Sequence, residues 1–316
     1  MSLPSNQLAH LKVPLESIIS TTNNFAEENL CLQDEFEKRY KGQLLRFGEL
    51  IDITARRFNK ERTDTEHQFW TEISLLSNLK HKNLVSIVGF CDENDEKIII
   101  YRHETRGMLN EYLSDPMLFT WVRRLEISVG IAHALSYIHY DEPRDFSIIH
   151  RLIASDRVLL NDEWEPKLSS FEYSMKIKAS QRHHSFHTNR LTGVDGYVDP
   201  TYLETKTVNH NSDMYSFGMV LFELLCGRKS IIDDEDNRYL APLAITHYRE
   251  KKIDNIIDQK LLKQMDLHSF TMFAEIAYEC LDEKRSRRPN IDDIVPRLEK
   301  ALESARENRP PNFTIV

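Results

Sequence analysis

The sequence has little glycine, few cysteines and no long apolar run. Glycine accounts for 9 of 316 residues, less than half of the roughly 7% of average proteins, so a fold that relies on glycine-rich loops is either absent or altered. The four cysteines form no C-x-x-C pair, which argues against a disulfide framework or a cysteine-based zinc site and fits a reducing compartment. The longest apolar stretch, near residues 219–226, is far shorter than the roughly 18 residues of a membrane-spanning helix.

Positive charge is also in deficit. Lys and Arg number 41 against 50 Asp and Glu, which gives a net charge of −9 and argues against a nucleic-acid partner. The opening residues, Met-Ser-Leu-Pro-Ser, match neither a secretory signal nor the Met-Gly start needed for N-myristoylation. We therefore expect a cytoplasmic protein without direct membrane insertion, which could reach the plasma membrane only peripherally, through a partner.

What is present is the pattern of a folded chain in two parts. Hydrophobic residues make up 41% of the sequence, which is enough to form a core. Strand-like alternation is followed by helical spacing after about residue 105. We predict an α+β protein with four segments: a lead-in containing a short helix at 1–27, a small β-rich lobe at 28–104, a larger α-helical lobe at 105–304 and a disordered tail at 305–316.

Individual elements can also be placed. Strands are predicted at 49–58 and, as a hairpin around an acidic turn, at 84–90 and 97–101. Helices are predicted at 65–79, 120–139, 213–226, 269–281 and 291–304. The helix at 213–226 is apolar nearly all round, which indicates that it is buried, and Ser212 or Asp213 is its expected N-cap.

Residues 148–160 read IIHRLIASDRVLL, similar to the protein-kinase catalytic loop I-I-H-R-D-x-K-x-x-N-I-L-L. The segments TEISLLSNLKHKNLVSIVGFCDE, KLSSFEYS, GYVDPTY, SDMYSFGMVLFELLCGR and CLDEKRSRRP lie around it in the order that kinases have. Together these six motifs resemble the receptor-like kinase/Pelle group of plants, from about Leu15 to Leu302. The resemblance implies a bilobal protein-kinase-like fold, with a β-rich N-lobe and a helical C-lobe.

The resemblance also implies a nucleotide site in which many family residues are replaced. The glycine-rich pattern G-x-G-G-F-G-x-V-Y-K-G aligns with LQDEFEKRYKG at 32–42. Side chains there would block the approach of backbone to phosphate, and each carboxylate at 4 Å would repel a phosphate charge by about 1 kcal/mol in water or about 4 kcal/mol at an effective dielectric constant near 20. The alternative interpretation of residues 32–42 is an acidic turn that lies in solvent and is not used for binding phosphate. The nucleotide-site positions are Leu32, Asp34, Glu35, Glu37, Arg39 and Thr54, with Tyr101 at the gatekeeper position and Leu159 retained below the adenine.

On the same alignment, Arg56 stands at the position of the family's phosphate-holding lysine, and Glu72 matches its helix partner. The alignment could slip by one residue, because Arg57 is also basic. An Arg–Glu pair can form two parallel hydrogen bonds, but arginine does not simply replace a lysine point charge. The alternative is that Arg56 and Glu72 form a salt bridge that only stabilises the lobe.

The positions of the reaction groups differ as well. Leu152 stands at the position of the catalytic-base aspartate, Arg157 at that of the metal-binding asparagine and Ser170 at that of the magnesium-binding aspartate. Loss of a general base typically costs about 10²–10⁴-fold in rate, and Mg²⁺ prefers carboxylate ligands. From these substitutions we expect no bound metal, weak or absent Mg-ATP binding and no enzymatic activity, which would make the chain a pseudokinase.

Residues with a structural role in the family are retained. His150 and Phe171 match the apolar column that links the two lobes, together with Leu76 and Ile87. Asp213 matches the aspartate that ties the central helix to the catalytic loop. Arg288 is present, but its usual glutamate partner is replaced by Thr201, so we expect that ion pair to be lost.

The segment 175–195 corresponds to the kinase activation segment. It carries His183, His184 and His187, which predict either a zinc site or, more simply, a mobile basic surface. Three hydroxyl residues are candidate phosphorylation sites, and Arg151 is expected to receive the phosphate; the alternative is that Arg151 bonds only to nearby backbone. These three residues are Ser185, Thr188 and Thr192.

Three functions follow from these observations. The first is a receptor-like kinase-group pseudokinase that acts as a signalling scaffold, allosteric partner or decoy for an active receptor-like kinase or an immune receptor. The second is a Ser/Thr protein kinase with residual or atypical ATP-dependent phosphotransfer, in which Lys38 or Lys41 replaces the strand lysine. The third is a metal-independent nucleotide-binding switch, in which Arg39, Arg56 and Arg157 neutralise phosphate.

Overall fold

The computed structural model describes residues 8–46, 48–140, 143–232 and 238–308. The chain divides into two compact units, which are described in turn. The first unit comprises Met1–Thr105 and Ser170–Ser174, and the second comprises Arg106–Ser169 and Met175–Val316. Most of the predicted disordered tail, residues 309–316, lies outside the described residues, and the tail's first three residues belong to the last helix.

The first unit is built on a five-stranded antiparallel sheet. Its elements are α1 (Leu15–Thr21), β1 (Leu30–Gln33), β2 (Glu37–Arg46), β3 (Glu49–Phe58), α2 (Thr65–Leu76), β4 (Ile87–Cys91) and β5 (Ile98–Arg102). The strands lie in the order β1-β2-β3-β5-β4. The predicted strand at 49–58, the hairpin of β4 and β5 and the helix α2 are confirmed.

The helix α1 packs directly onto the backbone of β2. Its Ile18 joins a buried cluster with Leu44, Ile53 and Ile98 from the sheet. A Cβ atom added to Gly42 would lie 2.4 Å from the carbonyl oxygen of Thr21, so only glycine permits this approach. The lead-in segment is therefore part of the first unit's core.

The second unit is mainly helical. Its elements are β6 (Gly107–Met108), α3 (Trp121–Tyr140), β7 (Phe146–Ile149), β8 (Val158–Leu160), β9 (Pro166–Leu168), β10 (Met175–Lys178), β11 (Phe186–His187), α4 (Pro200–Thr205), β12 (Thr207–Val208), α5 (His210–Cys226), α6 (Leu240–Arg249), α7 (Gln259–Leu262), α8 (Leu267–Cys280) and α9 (Ile291–Glu307). Three small antiparallel sheets accompany the helices: β6-β8-β9, β10-β7 and β11-β12.

The helix α5 is the buried centre of the second unit, as its all-round apolar sequence predicts, and it packs against α8. The predicted N-cap was wrong. Asn209 is the N-cap, and it forms a capping box with Ser212, while Asp213 lies in the first turn. The helix begins three residues earlier than predicted because this reciprocal pairing satisfies backbone N–H groups at its start.

The sheet-rich N-terminal region and the helical C-terminal region confirm the predicted α+β class. Among the described residues, no helix combines the length and the apolar character that crossing a bilayer requires. The four cysteines are free thiols, and only Cys31 is exposed.

Candidate functional site

The strand β3 presents one arginine to the interior and its neighbour to the outer side. Arg56 is buried, whereas Arg57 is half-buried and forms a two-bond ion pair with Glu96, with nitrogen–oxygen distances of 2.7 and 2.6 Å. Adjacent side chains of a strand point to opposite faces, so the two cannot share one role. The structure therefore identifies Arg56, and not Arg57, as the inward cation.

Three carboxylates surround Arg56. Its Nη1 donates to Oε2 of Glu72 at 2.5 Å, and its Nη2 donates to Oε1 of Glu172 at 3.1 Å. Its Nε donates to Oε2 of Glu37, and its guanidinium carbon lies 4.4 Å from the centre of the Phe58 ring. All three nitrogens of Arg56 are therefore engaged by carboxylates of the first unit. The predicted Arg56–Glu72 pair is present, as one part of a larger group that we call the Arg56 cluster (Glu37, Arg39, Arg56, Glu72 and Glu172).

The acidic turn between β1 and β2 is only partly solvated. Asp34 and Glu35 are exposed, and Asp34 Oδ1 accepts the backbone N–H groups of Phe36 and Glu37, each at 2.8 Å. Glu37, however, is 3% exposed and also accepts from Nε of Arg39 at 2.5 Å. The expectation of a solvated turn was wrong for Glu37, because two guanidinium groups compensate its removal from water.

The Arg56 cluster brings two guanidinium groups to three carboxyl groups, so it holds one surplus negative charge when all are ionised. Burial alone would raise the pKa of Glu37, but Arg39 and Arg56 outweigh burial and lower that pKa to about 2. Burial raises the pKa of Glu72, and the neighbouring Glu172 adds to this rise against the effect of Arg56. Glu72 is therefore the member of the cluster that takes up a proton most readily.

Two members of the cluster stand at positions where the kinase pattern has glycine. Glu37 aligns with the fourth glycine of the pattern G-x-G-G-F-G-x-V-Y-K-G, and Glu172 aligns with the glycine of the kinase triplet D-F-G, which reads Ser170-Phe171-Glu172 here. Both carboxylates lie against the guanidinium that was predicted to hold phosphate. Since these oxygens already occupy its nitrogens, the described arrangement of the first unit does not fit a nucleotide phosphate at Arg56.

The other predicted nucleotide-site residues are spread over several elements. Leu32 is half-buried in β1, opposite Arg39 in β2. Thr54 pairs with Tyr101 across β3 and β5, and its Oγ1 lies 2.9 Å from Nδ1 of His103. Tyr101 is buried, and burial together with the charge of Glu72 raises the pKa of its hydroxyl. Leu159 belongs to β8 in the second unit.

Among the residues that the structure describes, no group of three or more His, Cys, Asp or Glu side chains is placed to bind an ion. Ser170 is buried with a backbone φ of 68°, in the left-handed region that residues other than glycine seldom adopt. In the second unit Leu152 is buried, and Arg157 lies 3.6 Å from Asp156 as a half-buried ion pair.

Asp213 ties α5 to the segment that contains His150, as predicted. Its Oδ2 accepts the backbone N–H of His150 at 2.7 Å, and its Oδ1 accepts that of Arg151 at 2.8 Å. His139 Nε2 lies 2.9 Å from the same carboxyl group. Burial alone would raise the pKa of Asp213, but His139 and these backbone donors lower it, so the carboxylate form is stabilised.

The ion pair of Arg288 is not lost. Its Nη2 lies 2.9 Å from Oδ1 of Asp199, and both side chains are almost completely buried. Arg285 lies 2.7 Å from the other oxygen of the same carboxylate. The expectation failed because Asp199, two residues before Thr201, supplies the carboxylate from the N-cap position of α4.

Parts of the segment after Ser174 form short strands. The strand β10 pairs with β7, and β11 pairs with β12. Of the candidate phosphorylation sites, Ser185 is exposed and Thr192 is half-buried, while Thr188 is buried with its hydroxyl 3.0 Å from that of Tyr202. Arg151 Nη2 donates to the same Tyr202 hydroxyl at 2.8 Å, so its contacts include a side chain as well as backbone.

Sequence reasoning missed Glu172 and Asp199 as partners of buried arginines. In each case a signal was available. Glu172 is a carboxylate at a glycine position of the kinase pattern, and Asp199 precedes Pro200 as an N-cap aspartate would.

Comparison with known proteins agrees with this architecture. The sequence pattern of the family described as protein tyrosine and serine/threonine kinase matches residues 34–298. The receptor-like protein kinase FERONIA of Arabidopsis thaliana is 35% identical over 315 residues, covering 97% of this chain and 34% of that protein. The receptor-like protein kinase ANXUR2 of the same plant is 36% identical over 295 residues, covering 92% and 33%. The chain thus spans about a third of the length of the curated relatives that it matches.

These matches correct one expectation and confirm another. The prediction that the chain is not an enzyme was wrong: a kinase family pattern covers most of the sequence, and the relatives are named protein kinases. The resemblance to plant receptor-like kinases is confirmed. The chain belongs to the protein tyrosine and serine/threonine kinase family and is homologous to the receptor-like kinases of plants.

Proposed function

We propose that this kinase-family domain signals by binding another protein, as a scaffold or allosteric partner of an active receptor-like kinase. The observation that carries the proposal is the Arg56 cluster. Glu37 and Glu172, from two separate glycine positions of the family pattern, both engage the cation that would otherwise face phosphate. The cluster thereby joins β2, β3, α2 and the Ser170–Ser174 segment within the first unit.

The role of the cluster can be tested with nucleotide. A ligand at 100 times its Kd stabilises a protein by about 2.7 kcal/mol, so thermal unfolding reports binding directly. We expect no rise in the unfolding midpoint of the chain with ATP, with or without Mg²⁺. A metal-independent rise would instead support the nucleotide-binding switch, with Arg39, Arg56 and Arg157 as its phosphate-neutralising residues.

Binding to an active receptor-like kinase can be tested by measuring the activity of that kinase. The chain is added in increasing amounts to the purified cytoplasmic domain of an active receptor-like kinase, and the rate of phosphate transfer to a peptide is measured. We expect a saturable change in that rate. A rate that is unaffected at every concentration contradicts the proposal.

A second candidate function is favoured by the family itself, whose pattern covers residues 34–298. In this candidate the chain transfers phosphate from ATP to Ser or Thr side chains by an atypical arrangement of groups, with Lys38 or Lys41 facing the phosphates. It predicts incorporation of radiolabelled phosphate into a generic substrate, and this incorporation should be lost in a Lys38→Ala/Lys41→Ala variant. An immune receptor as the partner is a further form of the first proposal.

A further inference from the structure

The second unit carries a basic stretch that the proposed function does not use. Between Met175 and Arg190 the sequence contains two lysines, two arginines and three histidines, and it contains no Asp or Glu. The whole chain has a net charge of −9, so this stretch differs sharply from the rest. Such a local excess of positive charge attracts anionic partners.

Part of this stretch is a regular strand with one open edge. The strand β10 pairs with β7, and the part of the chain that the structure describes supplies no strand on its other side. An open edge offers unpaired backbone N–H and C=O groups, to which an extended segment of another protein can add as a further strand.

The side chains of β10 alternate between interior and solvent. Ile177 is buried and Met175 is half-buried, whereas Lys176 and Lys178 are exposed. Because residues two apart on a strand lie on one face, the two lysines are separated by about 7 Å along the strand. An extended peptide repeats its own side chains at the same distance, so acidic residues at alternate positions match both lysines.

Lys176 has one side-chain contact within the second unit before any partner binds. Its Nζ lies 3.9 Å from the centre of the Phe146 ring, a cation–π contact that restrains a flexible side chain. Phe146 belongs to β7, opposite Lys178. Lys176 therefore loses less conformational freedom on binding than an unrestrained lysine would.

We propose that the open edge of β10 binds an extended acidic segment of a protein partner by strand addition, with carboxylates at alternate positions facing Lys176 and Lys178. This inference rests on the proposed function, because it names the chemistry of the partner. Lysine on an exposed edge also discourages uncontrolled strand pairing; if that were its only role, no acidic peptide would bind.

The test uses the full chain and fluorescent peptides of twelve residues. A peptide of alternating Glu and Thr should bind, and a peptide of the same sequence with every backbone nitrogen methylated, which keeps the charges but lacks the N–H donors on both edges, should not. The Lys176→Glu/Lys178→Glu variant should weaken binding by about tenfold or more. The matched control, Lys260→Glu/Lys263→Glu, reverses two exposed lysines elsewhere in the second unit and should bind as the unmodified chain does.

Three results would overturn the proposal. Equal binding of the two peptides would exclude strand addition, and unchanged binding by the Lys176→Glu/Lys178→Glu variant would exclude this surface. Binding to vesicles that contain phosphatidylserine, without binding to the Glu-Thr peptide, would assign the basic stretch to a membrane surface. A failed peptide test leaves the kinase-rate test of the proposed function unaffected, so the two failures can be told apart.

Discussion

Glu172 Oε1 lies 3.1 Å from Nη2 of Arg56, and both side chains are almost fully removed from solvent. This contact joins the Ser170–Ser174 segment to the strand β3 inside the first unit. A glycine at residue 172 could not make it, and a lysine at residue 56 would present one nitrogen where arginine presents three. The two departures from the kinase pattern therefore compensate each other.

The first prediction concerns the stability that Arg56 provides. The Arg56→Met variant leaves three buried carboxyl groups without their shared cation, and removing one partner of a buried ion pair typically costs about 3–5 kcal/mol. We expect a loss of that size in the free energy of unfolding, measured in urea. The control is Arg57→Met, which removes a half-exposed pair with Glu96 and should cost less than about 1 kcal/mol. Equal losses in the two variants would argue against the Arg56 cluster as a structural centre.

The second prediction concerns Asp199. The Asp199→Asn variant leaves the buried Arg288 and its neighbour Arg285 without a carboxylate, so we expect a loss of about 3–5 kcal/mol in the free energy of unfolding. Asp195 provides the comparison, because its pair with Arg238 is exposed on both sides. The Asp195→Asn variant should change stability by less than about 1 kcal/mol. A small effect at both positions would mean that Arg288 does not need this partner.

The third prediction concerns pH and Glu223 in α5. Burial raises the pKa of Glu223 from its ordinary value of 4.5 to about 7, although its carboxyl group accepts from Tyr197 Oη at 2.7 Å and from the backbone N–H of Ser230 at 2.6 Å. Between these two pH values the folded state keeps a proton that the unfolded state releases. The contribution of the Glu223 carboxyl group to stability is therefore full below about pH 4.5 and is lost as the pH rises through about 7.

Glu223→Gln removes this titration and keeps an acceptor oxygen. As the pH rises from 4.5 to 7, we expect the unmodified chain to lose stability relative to the variant. The difference between their free energies of unfolding should change by at most about 1.4 kcal/mol per pH unit. Urea unfolding at several pH values measures the difference. A difference that is constant across this range would show that Glu223 does not titrate there.

The fourth prediction concerns the candidate phosphorylation sites. Ser185 is exposed, whereas the hydroxyl of Thr188 is buried against Tyr202. An added active kinase should therefore modify Ser185 faster than Thr188, because a buried hydroxyl cannot enter another enzyme's site without local unfolding. Mass spectrometry at successive times gives the order. Faster modification of Thr188 would mean that β11 opens readily.

The fold could be predicted because it depends on patterns that the sequence repeats many times. The alternation of β3, the spacing of α2 and the all-round apolar face of α5 each occupy ten or more residues. The tie from Asp213 to His150 could be predicted from family resemblance, because both residues are retained. An error of a few residues at the end of an element does not change the predicted fold, as the start of α5 illustrates.

The site could be predicted only in part, because it depends on pairings between distant positions. The burial of Glu37 and Glu172 was not predicted, because carboxylates are seldom buried unless they are paired. Their pairing with Arg56 spans 19 and 116 residues of chain. The partner of Arg288 was missed for the same reason, because resemblance indicated where the carboxylate should be and not that a nearby aspartate could replace it.

The most direct test of the Arg56 cluster is a double-mutant cycle on Arg56 and Glu172. The free energy of unfolding is measured for the unmodified chain, for Arg56→Met, for Glu172→Gln and for the double variant. If the two side chains are coupled as described, the double variant will lose at least about 1 kcal/mol less than the sum of the single losses. Losses that add to within about 0.5 kcal/mol would contradict the coupling and, with it, the account of how this first unit is held together.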